Sequence, residues 1–284
     1  MGLVSIRELL AAAEKGAYAV GAFNCNNMEI VQAIIEAAEA EKAPVIMQAS
    51  QGAIRYAGIN YIVAMAREAA ARASVPVALH LDHGTDFNQV MLCIRHGFSS
   101  VMIDGSRYPL EENIAVTKKV VEIARAVGVS VEGELGRIRG TEDEIKVSER
   151  EAFFTDPEEA RIFVRETGVD ALAPSIGTAH GRYRGRPELD FPRLKKIREA
   201  TGIPLVLHGS SGVPDEDIRQ AIALGVRKVN IDTNIREAFV AAMRQELGDN
   251  PEEIDPRKIL GPARDAAREV IREKIRLFGS AGKA

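Results

Sequence analysis

The chain contains no tryptophan, two cysteines, and aromatic residues at only 5% of its 284 positions. Cys25 and Cys93 cannot build the several bridges of a small secreted scaffold, so a disulfide framework is excluded and a reducing, cytoplasmic setting is expected. No apolar run approaches the roughly 18 residues that a membrane-spanning helix needs. The first residues, Met1 to Glu8, lack the basic-then-apolar layout of a secretory signal. Basic runs and basic patches interleaved with aromatics are missing as well. With a net charge of −4, that argues against a nucleic-acid surface.

What is present is a regular alternation. Short apolar runs of strand length are separated by stretches with helical spacing. The strand readings are Ala19–Phe23, Pro44–Ser50, Val75–Asp82, Ser99–Ile103, Val129–Glu134, Val169–Ile176, Ile203–Leu207 and Val226–Asp232. Helices are expected over Ile6–Lys15, Met28–Ala40, Tyr61–Arg72, Gln89–His96, Asn113–Val127 and Phe191–Ala200. Asp156-Pro157-Glu158-Glu159 and Pro214-Asp215-Glu216-Asp217 open two more, with the caps, prolines and first-turn acids of helix starts. Helix Ile235–Leu247 follows the eighth strand, and a last helix from about Pro262 to Leu277 lies outside the repeat. Gly136 to Glu151 reads as the longest polar connection. Eight strands alternating with helices at this length predict a (β/α)8 TIM barrel with an extra C-terminal helical segment, as one domain over 1–284. A doubly wound dinucleotide-binding sheet would need a glycine fingerprint after its first strand, where this chain has Asn24-Cys25-Asn26-Asn27.

The strand ends carry the chemistry. In such barrels the active site sits at the C-terminal face, and the strands finish on Asn24, Ser50, Asp82, His83, Asp104, Glu134, His180, His208, Asn230 and Asp232. Three of the five histidines fall here, on the third, sixth and seventh strands. Their spacing matches no local zinc motif, but their convergence on one barrel mouth is a donor set for zinc or a similar ion, with positions left open for substrate. His80 reads as a satisfied core histidine and His96 as a surface or packing residue. Gly209-Ser210-Ser211-Gly212 and Asn230-Ile231-Asp232-Thr233 follow the last two strands, the usual phosphate position of this fold.

Seven separated motifs, in order, resemble the class II, metal-dependent fructose-bisphosphate aldolases and their tagatose-bisphosphate relatives. They are Gly21-Ala22-Phe23-Asn24 through Asn27, Leu81-Asp82-His83-Gly84, Glu134-Leu135-Gly136, Gly177 to Gly181, His208 to Gly212, Asn230 to Thr233, and Asp255-Pro256-Arg257. The resemblance runs from the first helix to Phe278-Gly279-Ser280. It implies that His83, His180 and His208 hold a catalytic Zn2+, whose Lewis acidity polarises the ketone of dihydroxyacetone phosphate and stabilises the enediolate. Asp82 would shuttle the proton of the C4 hydroxyl. Glu142, on a long loop that closes as a lid, would move the carbon-bound proton of the ketone half.

The resemblance also implies a phosphate site lined by Gly181, Gly209, Ser210, Ser211, Ile231, Asp232 and Thr233, with Asn230 steadying the enediolate. Asp104 and Glu134 stand as secondary carboxylates, able to take displaced zinc or a second divalent ion, and a monovalent cation (Na+ or K+) is expected beside Asp232. Asn24, Ser50 and Arg257 match residues at the distal phosphate, Arg257 reaching in from a neighbouring subunit of a homodimer or homotetramer. Departures occur at Thr141, where many relatives carry an acid, at Ser210-Ser211, and at the absent lysine before Asp255.

The expected reaction is reversible cleavage of the sugar bisphosphate fructose 1,6-bisphosphate to dihydroxyacetone phosphate and glyceraldehyde 3-phosphate. The tagatose epimer is the alternative, and a non-catalytic sugar-phosphate-binding barrel a remoter one. Schiff-base chemistry is disfavoured because no strand ends in lysine; Lys228 lies inside the eighth. A barrel metallohydrolase would want a His-x-His on the first strand, where Asn24 stands.

Overall fold

The computed structural model describes residues 2–142, 145–148, 153–183 and 185–284, without the side chains of residues 139, 141, 142 and 145–147. Ser5 caps the first helix, α1 (Ile6–Gly16), by accepting from the Glu8 amide, while Glu8 reaches back to the Ser5 backbone in a capping box. The first half continues through β1 (Val20–Asn24), α2 (Met28–Ala40), β2 (Val45–Ser50), α3 (Gln51–Ala57), α4 (Ile59–Arg72), β3 (Val77–Gly84), α5 (Phe87–His96), β4 (Ser100–Ile103), α6 (Leu110–Ala126) and β5 (Ser130–Leu135). The second half runs β6 (Arg139–Glu142), β7 (Ile145–Val147), α7 (Pro157–Thr167), β8 (Ala171–Pro174), β9 (Ala179–His180), α8 (Phe191–Thr201), β10 (Leu205–Leu207), α9 (Asp215–Ala223), β11 (Val226–Ile231), α10 (Thr233–Asp249) and α11 (Pro256–Leu277).

Eight parallel strands close into a barrel in the order β1-β11-β10-β8-β5-β4-β3-β2, as the alternation predicts. The barrel strands are buried along their length, so residues of one parity fill the interior and the others meet the helices. One apolar cluster fills the lower interior: Val20, Ala22, Ile46, Ala78, Ala171, Ala173 and Val206, plugged from below by Ile6, Leu9, Leu10 and Ala13 of α1. A larger apolar shell lies between strands and helices. Two residues further along the same strands, the interior turns polar, at Asn24, Gln48, His80 and His208.

Three boundaries differ from the sequence reading. The stretch read as a polar connection contains an antiparallel hairpin, β6 with β7, and β6 also runs parallel to β9. Its ladder is made by backbone, so the side-chain pattern gave no period to read. A seven-residue helix, α3, too short for periodicity, starts at Gln51 with the Ser50 hydroxyl accepting from the Ala53 amide. The last helix begins at Pro256 under an Asp255 cap rather than at Pro262, which the helix passes through.

Candidate active site

The site is built around the end of β3. Between Leu81 and Gly84 the pairing of β3 with β4 slips, and His83 takes a φ of 48°, a left-handed conformation uncommon outside glycine. Strain of that kind persists where the surroundings over-determine it. Its effect here is to turn both Asp82 and His83 toward the barrel mouth, although neighbours on a regular strand face opposite ways.

Three imidazoles meet there. The His83 ring lies 5.0 Å from that of His180 and 4.6 Å from that of His208, and His180 and His208 are 5.9 Å apart. Nε2 of His83 and Nδ1 of His208 face each other at 2.9 Å. Each ring's other nitrogen meets a carboxylate: His83 Nδ1 is 3.3 Å from Asp104, and His208 Nε2 is 2.7 Å from Glu132. With the outer nitrogens donating to those carboxylates, the inner nitrogens turn lone pairs toward one another, an arrangement that calls for a cation. One nitrogen from each of His83, His180 and His208 falls within a 4.8 Å group, a set that fits a divalent ion of borderline softness. His83, Asp104 and Glu134 form a second such group.

The electrostatics suit that reading. Burial, with opposition from Glu132, holds the His208 imidazole below its ordinary pKa and therefore neutral, the form that can donate to a metal. Burial and the Lys228 charge likewise keep His80 neutral. Burial alone would raise the Asp104 carboxyl. The hydrogen bond from His83, with the Ser106 hydroxyl and amide, instead holds it down at about 2.

Asp82 stands beside this cluster with no exposed surface. Its Oδ2 accepts from Asn24 Nδ2 at 2.9 Å and Gln48 Nε2 at 3.1 Å, and its Oδ1 from Asn230 Nδ2 at 3.3 Å. Three amides therefore fix a carboxylate at the mouth, and Gln48 also braces Asn24 at 2.7 Å. Such a group is oriented for moving a proton.

Next to it lies a polar cavity of about 60 Å³, several times what a single water needs. Asn24, His180, Gly181, Gly209, Ser210, Ser211, Asn230, Asp232, Thr233 and Arg236 line it. Helix α10 begins at this cavity without a side-chain cap, and its Asn234 amide donates to the Ser211 hydroxyl at 3.4 Å. Gly209 has a φ of 62°, and a Cβ there would lie 2.5 Å from the Ala179 carbonyl oxygen, so only glycine fits. The Tyr183 hydroxyl donates to the Gly209 carbonyl at 2.8 Å and accepts from the Ala179 amide at 2.7 Å, tying the loops after β9 and β10 together.

The structure thus brings together Asn24, Asp82, His83, Asp104, Glu134, His180, His208 and Asn230, along with the glycine, serine, Asp232 and Thr233 positions. Ser50 is buried where it caps α3. Ile231 turns its side chain into the shell between barrel and helices. Arg257 is exposed at the start of α11, paired with Asp255 and lining a groove with Met28 and Gln32 of α2 rather than the cavity. The Glu142 side chain lies outside the described residues, but its strand β6 pairs with the strand that carries His180. His80, read as a satisfied core histidine, is only half satisfied: its Nδ1 meets the Ser100 hydroxyl at 2.7 Å, while its buried Nε2 makes no hydrogen bond and lies 3.5 Å from Glu132.

Sequence reasoning missed Gln48, Glu132, Tyr183 and Arg236. Strand parity could have found two of them: Gln48 shares its face with Ser50, and Glu132 shares its face with Glu134. Arg236 sits one helical turn after Asp232, which it meets at 2.8 Å.

Comparison with known proteins agrees with this geometry. Residues 4–283 match the family model described as fructose-bisphosphate aldolase class-II. A fructose-bisphosphate aldolase of Thermus caldophilus is 50% identical, with 99% of this chain and 100% of that protein covered. One of Geobacillus stearothermophilus is 49% identical over 100% and 99%. The crystal structure of the YdjI aldolase from Escherichia coli K12 superposes with a TM-score of 0.88 at 36% identity, covering 99% of both chains.

Proposed function

The chain belongs to the class-II fructose-bisphosphate aldolases, and on that premise we propose that His83, His180 and His208 bind zinc and that fructose 1,6-bisphosphate is the preferred substrate over its tagatose epimer. As a lyase, it cleaves and re-forms the bond between C3 and C4 of a ketose bisphosphate. The observation that carries the proposal is the pair of opposed imidazole nitrogens at 2.9 Å, both backed by carboxylates and joined by a third histidine. Zinc bound there supplies a Lewis acid for the substrate ketone.

The chain's own residues do the rest. Asp82 takes the C4 hydroxyl proton during cleavage and returns it during condensation; the amides of Asn24, Gln48 and Asn230 aim its oxygens. The α10 amides, Gly181, Gly209 and the Ser211 hydroxyl receive the phosphate of the ketone half, with Arg236 adding a guanidinium at the cavity's edge. Asp104 and Glu134 orient His83, and offer oxygens to a second divalent ion when one is present. Glu142 exchanges the carbon-bound proton of the ketone half from a hairpin that closes over His180. Asn24 and Ser50 border the distal phosphate, and Arg257 reaches it from a neighbouring subunit of a dimer or tetramer. A monovalent cation beside Asp232 offsets that acid near the phosphate. Schiff-base chemistry has no support, since Lys228 is fully buried and ion-paired to Glu132 at 2.9 Å. The enzyme works in the cytoplasm, consistent with two free, buried cysteines and with no helix among the described residues long and apolar enough to cross a membrane.

The test is cleavage of fructose and tagatose 1,6-bisphosphates before chelation, after it, and after zinc is restored. Fructose preference that a chelator abolishes and zinc restores is the expected result. Activity indifferent to chelation overturns the metal assignment, and tagatose preference overturns the substrate assignment.

A further inference from the structure

Beneath the three histidines the barrel interior holds a charged pair that the reaction does not call for. Lys228 Nζ lies 2.9 Å from Oε2 of Glu132, and both side chains are completely buried. Oε1 of the same carboxylate meets His208 Nε2 at 2.7 Å. His80 closes the remaining side, its Nε2 3.5 Å from Oε2 and its Nδ1 on the Ser100 hydroxyl.

A buried ion pair is a weak device for stability, because removing both charges from water costs as much as their attraction returns. The lower interior of this barrel, filled by alanine, valine and isoleucine, shows that the same architecture accepts apolar filling. The pair's geometry does accomplish one thing. A neutral imidazole carries its proton on one nitrogen only, and the hydrogen bond made by the other side selects which. By accepting from Nε2, Glu132 leaves the lone pair on Nδ1, the atom that faces His83. Lys228 occupies the second carboxylate oxygen and so fixes the plane from which Glu132 grips the ring.

We propose that Glu132, held in place by Lys228, is a positioning residue that sets the tautomer and rotation of His208 and thereby the affinity of the three-histidine site for a divalent ion. This inference rests on the metal reading above. Both side chains are completely buried beneath the mouth, so Glu132 acts through His208 and Lys228 through Glu132.

Single substitutions leave an unpaired charge in the core and risk unfolding. The informative variant is therefore Glu132→Leu combined with Lys228→Met, which removes both charges and the acceptor that His208 Nε2 meets, at nearly constant volume. Metal-free wild-type and double-variant protein are titrated with Co2+ and followed through the ligand-field absorption bands, with thermal unfolding measured in parallel. The expected result is a double variant that melts near the wild type, binds Co2+ about 10–100-fold more weakly, and shows shifted bands. Its kcat falls more than its KM rises. A folded double variant with wild-type Co2+ affinity and spectrum overturns the proposal. Failure of the wild type to bind Co2+ at all overturns the metal reading instead, which keeps the two apart. Should the double variant not fold, long-range 15N–1H spectra of the zinc-loaded wild type, labelled at histidine, read the tautomer directly. A His208 protonated at Nε2 supports the proposal, and one protonated at Nδ1 contradicts it.

Discussion

The two ends of the barrel interior are both buried and chemically opposite. At the lower end Ala22, Ile46, Ala78 and Val206 meet the apolar face of α1. At the upper end the same strands, two to four residues on, present Asn24, Gln48, His80, Asp82 and His208, with little or no exposed surface. Burying apolar groups stabilises the fold by about 25 cal/mol per Å². Burying carboxylates, imidazoles and an ammonium does not, and is tolerated only because each is held by a partner. The lower end therefore keeps the barrel folded, and the upper end, which draws on that stability, is free to be shaped by chemistry.

Substitutions at the two ends should separate stability from activity. The largest effect is expected for Asp82→Ala, which should lower the cleavage rate about 10²–10⁴-fold in protein that keeps its metal, with a lower melting temperature because three buried amides lose their acceptor. Steady-state kinetics beside calorimetry checks this; a variant that keeps turnover removes Asp82 from the chemistry. At the other end, Leu10→Ala should cost about 2–5 kcal/mol of unfolding free energy by denaturant titration, with kcat of the folded protein unchanged. Gly209→Ala, forced into a left-handed conformation against the Ala179 carbonyl, should shift the phosphate loop and raise KM for the bisphosphate about tenfold, in line with ~1–3 kcal/mol of backbone strain.

The smallest effect belongs outside the barrel. Glu41 at the end of α2 accepts from Arg276 and Arg272 of α11, and those hydrogen bonds hold its carboxyl below the ordinary value. A depressed folded pKa means that the stabilisation is complete above the ordinary glutamate value of about 4.3 and fades as pH falls through the folded value. Glu41→Gln should therefore cost under ~1 kcal/mol near neutral pH and make acid unfolding less steep, since both partners are partly exposed.

Much of this was legible in the sequence for a physical reason. Strand–helix alternation is written in periodicity, and a strand that ends on Asp82-His83 or His208-Gly209 announces itself because polar groups there are costly unless used. The hairpin after Gly136 was not legible, because its pairing is made by backbone atoms and its side chains carry no alternation. Glu132, Lys228 and Gln48 were hidden differently. They lie inside strands rather than at their ends, and only strand parity together with barrel closure shows that Glu132 from β5, His208 from the end of β10 and Lys228 from β11 converge. Arg236 belongs to a helix whose surface pattern is ordinary, and its closeness to the cavity depends on where α10 begins.

The most direct test of the whole account is elemental analysis of the purified protein alongside His180→Ala and Leu10→Ala, with fructose 1,6-bisphosphate cleavage measured on the same samples. The account predicts one tightly held divalent ion per chain in the wild type and in Leu10→Ala, and loss of both ion and cleavage in His180→Ala. A wild type that cleaves without metal, or a His180→Ala protein that keeps its ion and its activity, would contradict it.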